Sequence, residues 1–130
     1  MPSTSDTVLV VDDDADIREA LEYVLADEGY DSADVGGGQE ALEYLRAHPA
    51  PAVILLDWNM APMDGSQFMA ELAKDDALRR IPVVVLTADV RVADSLETGR
   101  FADCLTKPVD LRVLFEVLGR YAARSAPSAT

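Results

Sequence analysis

Apolar residues fall in short unbroken runs along the chain, and each run stops at a polar residue. The strongest are 7–12 ("TVLVVD"), 52–57 ("AVILLD") and 82–87 ("PVVVLT"); weaker ones lie at 30–35 ("YDSADV") and 103–106 ("DCLT"). Their continuous character predicts strands buried on both faces, as in a parallel sheet. Between them the apolar spacing becomes helical. Ile17, Leu21, Val24 and Leu25 make one stripe, closed by Gly29 as a C-terminal cap. Ala41, Leu42 and Leu45 make a second, ended by Pro49, and Phe68, Leu72 and Met69 a third. The clearest comprises Leu111, Leu114, Phe115, Leu118 and Ala122, with Asp110 as N-cap. Segment 90–99 ("VRVADSLETG"), the expected fourth helix, has only Val92 or Ala93 with Leu96.

Five repeats of strand then helix predict an α/β fold: a doubly wound, five-stranded parallel sheet with right-handed crossovers and helices on both faces. The expected domain spans 1–124, and 125–130 is expected to be a disordered tail. The triple glycine at 36–38 is not a phosphate loop, because no Gly-Lys-Ser/Thr follows, and it reads as the entry to the second helix.

Composition narrows the possible partners. The 130 residues suit one domain, and an apolar share of 49% with 27% charged residues argues against disorder. With 24 acidic and 11 basic residues the formal net charge is −13. That disfavours direct contact with nucleic acid or an anionic membrane and favours cations or a basic partner, although solubility alone also accounts for it. A single cysteine, Cys104, cannot form an internal disulfide. No run approaches the roughly 18 apolar residues of a membrane span, and "MPSTSDT" lacks the features of a signal peptide, so a cytoplasmic location is expected.

In an open parallel sheet, ligands bind beyond the carboxyl ends of the strands. Strand one ends at Asp12, Asp13 and Asp14, strand three at Asp57, strand four at Thr87 and strand five at Lys107. Close carboxylates disfavour each other's ionised forms unless a cation sits among them. Magnesium suits such a set, since it takes one or two carboxylates and accepts phosphoryl oxygens. A carboxylate beside it can become an aspartyl phosphate, with a lysine and a hydroxyl holding the remaining oxygens. Asp14 and Asp16 read better as turn or N-cap residues, and His48 as a surface residue. A calcium loop built on Asp12, Asp14 and Asp16 fails, because Ile17 and Tyr23 stand where glycine and glutamate are required.

At these residues the chain resembles the receiver domain of two-component response regulators. The matching pieces are "VLVVDDDADIREAL", "GGGQEAL", "VILLDWNMAPMDG", "IPVVVLTA" and "CLTKP", and "DWNM" is similar to single-domain chemotaxis receivers. The resemblance implies a flavodoxin-like (βα)5 fold with strand order 2-1-3-4-5. It implies Asp57 as phosphoacceptor, Thr87 as switch hydroxyl and Lys107 as phosphoryl-binding lysine. Magnesium would be held by Asp12, Asp13, Asp57 and the backbone carbonyl of Asn59. It further implies a signalling switch rather than an enzyme, catalysing only its own phosphorylation and dephosphorylation. A histidine kinase or phosphotransfer protein would donate the phosphoryl group, and a downstream protein would read the fourth-helix and fifth-strand face. Several positions depart from the family pattern: the proline after Met60 is one place late, at Pro62; Cys104 replaces an aromatic; Val109 follows Lys-Pro; and one extra residue precedes Cys104. The alternative is a small phosphatase resembling haloacid dehalogenases, with Asp12 as nucleophile and Asp14 completing Asp-x-Asp. It would need a second acidic pair, and only Asp110 is near.

Overall fold

The computed structural model describes residues 6–89, 91 and 101–123. Five strands alternate with helices: β1 (Val8–Val11), α1 (Ala15–Asp27), β2 (Ser32–Val35), α2 (Gly38–Ala47), β3 (Val53–Asp57), α3 (Gly65–Ala73), β4 (Val83–Thr87), β5 (Asp103–Thr106) and α4 (Leu111–Leu118). All strand pairs are parallel, in the order β2-β1-β3-β4-β5. The flavodoxin-like α/β fold expected from the sequence is therefore present. The expected helix 90–99, apart from Arg91, lies outside the described residues, as does the tail 125–130.

Successive strand residues point to opposite faces, and both faces are covered. Leu9, Val11, Ile54, Leu56, Val83 and Val85 join Leu42 and Leu45 of α2 and Phe68 and Leu72 of α3 in one cluster. Val8, Val10, Val53, Leu55, Val84 and Leu86 join Leu21 and Leu25 of α1 and Leu114, Val117 and Leu118 of α4 in the other. This explains why the runs are continuous rather than alternating: either parity has a core to enter, and each fully buried aliphatic contributes about 1.5–3 kcal/mol relative to exposure.

The helix ends follow their local chemistry. Asp14 caps α1, its Oδ1 accepting from the N–H groups of Asp16 (2.9 Å) and Ile17 (3.3 Å). Gly29, at φ 90°, supplies the left-handed residue that closes α1, while the N–H of Tyr30 returns to the carbonyl of Leu25 at 2.9 Å. Asp110 caps α4 through the N–H of Arg112. Two details depart from expectation. Val117, not Leu111, belongs to the inward stripe of α4; Leu111 sits at the first helical position, one turn beyond the cluster, and is exposed. A single 3-10 turn at Leu78–Arg80 also forms, held by the Asp75 carboxylate accepting from the Ala77 N–H at 2.9 Å.

Candidate functional site

Four strand ends meet at one edge of the sheet. Asp12 follows β1 directly, Asp57 is the last residue of β3, Thr87 the last of β4, and Lys107 follows β5. The apolar core holds Asp12 and Thr87 at 1% exposure and Asp57 at 6%. Carboxylate oxygens of Asp12, Asp13 and Asp57 all lie within 4.8 Å of one another.

Each group is fixed by identifiable partners. The Asp12 N–H donates to the carbonyl of Val35 (3.2 Å), and Asp12 Oδ1 accepts from the N–H of Asp14 (2.9 Å). Asp13 is exposed, and its Oδ2 accepts from the N–H of Ala61 at 3.3 Å. A proline at position 61, as the family pattern has it, could not make that bond. Lys107 Nζ donates to Asp57 Oδ1 at 3.1 Å, and the Asn59 N–H lies 3.4 Å from the same oxygen. The Lys107 N–H donates to the Thr87 carbonyl at 2.8 Å, which continues the β4–β5 ladder and aims the lysine across β4. The Thr87 hydroxyl accepts from the Asp89 N–H at 3.1 Å, and Asp89 is gripped by both Nε and Nη2 of Arg91.

Burial pushes the Asp12 carboxyl above its ordinary value; the neighbouring Asp57 and Asp13 charges add to this, while the Asp14 N–H and Lys107 oppose it. Asp12 Oδ2 is buried without a hydrogen-bond partner. A buried carboxylate oxygen left unpaired is costly, and here it belongs to a set of three converging acids. The residues present therefore fit a divalent cation, and magnesium, a hard ion that prefers oxygen, matches the donor set.

Trp58, next to Asp57, is built in by its surroundings. Its N–H donates to the carbonyl of Leu86, and its carbonyl accepts from the N–H of Gly65. A Cβ at Gly65 would stand 2.4 Å from the indole, so only glycine fits beneath it. The indole meets the buried Phe101 edge-on at 5.5 Å between ring centroids. Cys104 packs against this same cluster, and burial raises its thiol pKa.

Asp14, the second acid of Asp-x-Asp, caps α1, and Asp110, the one acid near Lys107, caps α4; the dehalogenase-type alternative is not favoured. Asp16 and His48 are exposed, and the His48 ring stacks on Tyr44 at 4.0 Å. Pattern reading did not single out Arg18, whose guanidinium reaches the Asp12 carbonyl, or the Ala61 N–H; neither carries a local signature, because each acts across the fold.

Comparison with known proteins agrees with this arrangement. The family described as response regulator receiver domain matches residues 8–119. The phosphate regulon transcriptional regulatory protein PhoB of Escherichia coli is 36% identical over 125 residues, covering 94% of this chain and 54% of PhoB. The chain thus spans about half the length of that curated relative. Among solved structures, a response regulator receiver protein from Pseudomonas putida superposes with a TM-score of 0.79 at 31% identity, covering 88% of this chain and 95% of that one. The receiver domain of a sensor histidine kinase from Pseudomonas aeruginosa, described with a magnesium ion coordinated in its active-site cleft, gives 0.78 at 27% identity, covering 88% and 95%.

Proposed function

The chain belongs to the response regulator receiver domain family, and on that premise we propose that it is a phosphoacceptor in a phosphorelay, with Asp57 as the residue modified. Receiver domains are signalling switches rather than conventional enzymes. In this reading a carboxylate oxygen of Asp57 attacks the phosphorus of a phosphohistidine on a histidine kinase or phosphotransfer protein. The P–N bond breaks, its electron pair stays on the imidazole nitrogen, and that nitrogen takes a proton from solvent.

The observation that carries the reading is the Asp12–Asp13–Asp57 cluster with Lys107 on its Asp57 side. Asp12 and Asp13, with Asp57 and the Asn59 carbonyl, would hold magnesium, which when bound neutralises charge on the phosphoryl oxygens. Lys107 holds a further oxygen through a charge-assisted bond. The Thr87 hydroxyl, buried at the end of β4, supplies a donor once it rotates from the Asp89 N–H. Its movement would alter the face to which β5 belongs and so the binding of a downstream protein. The acidic balance supports protein partners over direct contact with nucleic acid or an anionic membrane. Among the described residues no helix is long and apolar enough to cross a membrane.

The test is intact mass after incubation with magnesium and acetyl phosphate. Wild type should gain one phosphoryl group and Asp57→Asn none. An Asp57→Asn protein that still gains it, beside an Asp12→Asn protein that does not, would transfer the nucleophilic role to Asp12.

A further inference from the structure

We infer that Arg18 is a positioning residue for the magnesium site: without touching the ion, it fixes the Asp12–Asp13 peptide from which two of the three carboxylates hang. The inference rests on the phosphoacceptor reading and deepens it. Arg18 lies in the first turn of α1, yet its side chain does not run out into solvent. Nη1 donates to the Asp12 carbonyl at 2.8 Å, and Nε donates to Asp34 Oδ2 at 3.1 Å. One guanidinium thus ties the β1–α1 loop to β2.

The loop needs such a tie. The β1 ladder ends with Val11, paired to Val35 and Leu56, so the following residues leave the sheet. Asp12 and Asp13 then follow in succession and converge on Asp57, and the like charges of these three acids push the loop away from the edge. Asp12 is held at its N–H by Val35 and at Oδ1 by the Asp14 N–H. Arg18 takes the remaining backbone group, the carbonyl that leads into Asp13. A planar, forked donor suits that carbonyl and Asp34 together, and Arg18 makes both bonds. Stability alone accounts poorly for the arrangement. The Arg18 and Asp34 side chains are 23% and 32% exposed, and a partly solvated pair of this kind contributes little. Ligand placement is where a second layer of contacts counts, and outer partners of metal ligands commonly matter about 10–100-fold in affinity.

The experiment titrates Mg2+ itself against Trp58 fluorescence in the full chain. In parallel it follows phosphorylation by acetyl phosphate as intact mass across magnesium concentrations. Arg18→Gln should raise the half-saturating Mg2+ by about tenfold while the rate at saturating Mg2+ falls by no more than about twofold. Arg18→Lys, which can keep one of the two bonds, should fall between. Asp34→Ala should shift the titration in the same direction but less, and the double variant should be no worse than Arg18→Gln, because Asp34 acts through Arg18. Should Arg18→Gln fail to fold, Asp34→Ala and Arg18→Lys carry the same comparison. A melting temperature lowered by Arg18→Gln with an unchanged Mg2+ requirement makes Arg18 merely structural and overturns the inference. So does an Asp34→Ala effect that adds fully to that of Arg18→Gln. A wild type that neither responds to Mg2+ nor gains a phosphoryl group sinks the phosphoacceptor reading and this inference together. A responsive wild type beside variants that titrate identically sinks the inference alone.

Discussion

Lys107 Nζ stands 3.1 Å from Asp57 Oδ1 although the two residues close strands that are not neighbours, with β4 between them. The bridge depends on the Lys107 N–H bonding to the Thr87 carbonyl, which sets where the side chain begins. It places a cation beside the proposed acceptor, whose carboxylate also meets those of Asp12 and Asp13. Removing it should move two measurable quantities in opposite directions. Lys107→Ala should bind Mg2+ more tightly in a Trp58 fluorescence titration, because a competing positive charge is gone. Its phosphorylation by acetyl phosphate should slow by roughly a hundredfold, the scale of losing one prearranged donor. Equal weakening of both would show that the lysine only supports the fold.

Magnesium should raise stability. The ion would relieve repulsion among Asp12, Asp13 and Asp57 and bind the native state alone, so at ten times its Kd it should add about 1.4 kcal/mol, a melting shift of a few degrees. Trp58 adjoins Asp57, so its emission should be quenched as the ion enters. Asp13→Ala should abolish both effects. A melting temperature indifferent to millimolar magnesium in wild type would count against a formed site.

Acidity should act in opposite senses with and without the ion. The Asp12 carboxyl titrates above its ordinary value of 3.8, so the metal-free folded state holds that proton more firmly than the unfolded chain does. The resulting contribution is complete below 3.8 and is lost as pH rises through the raised value. Metal-free Asp12→Asn should therefore melt above wild type near neutral pH, and the gap should narrow on acidification toward 3.8. Magnesium requires the deprotonated acid, so half-saturating Mg2+ for wild type should rise over the same interval. A gap that widens on acidification would contradict this assignment.

The Trp58–Phe101 contact offers a path from the proposed acceptor to the β4–β5 edge in a chain with Cys104 in place of an aromatic. Phe101→Ala should destabilise by about 3 kcal/mol, since the ring is buried. The gentler Phe101→Leu should change Trp58 emission. It should also weaken the hydrogen-exchange response of residues 101–106 to beryllofluoride, a phosphoryl mimic. A full response in Phe101→Leu would remove the aromatic pair from the route.

Much of the architecture was legible in the residues themselves. A continuous apolar run marks a strand buried on both faces, and the runs ending at Asp12, Asp57 and Thr87 became β1, β3 and β4. Asp14, Gly29 and Asp110 marked helix ends because caps are local hydrogen-bond chemistry, decided within three or four residues. The shared edge of the site was legible for the same reason: in a parallel sheet, carboxyl-terminal residues of every strand emerge on one side. Strand order came with the family resemblance rather than with any periodicity, and pairing register belongs to the packed molecule. Register sets Val10 beside Asp34, and the tertiary structure brings Arg18 within reach of both Asp34 and the Asp12 carbonyl. The packed sheet likewise brings Lys107 across β4, Phe101 against Trp58 and Val117 rather than Leu111 into the core. Apolar periodicity reports which side of an element is buried; which distant residue meets it depends on how the layers dock, and docking is a property of the whole chain at once.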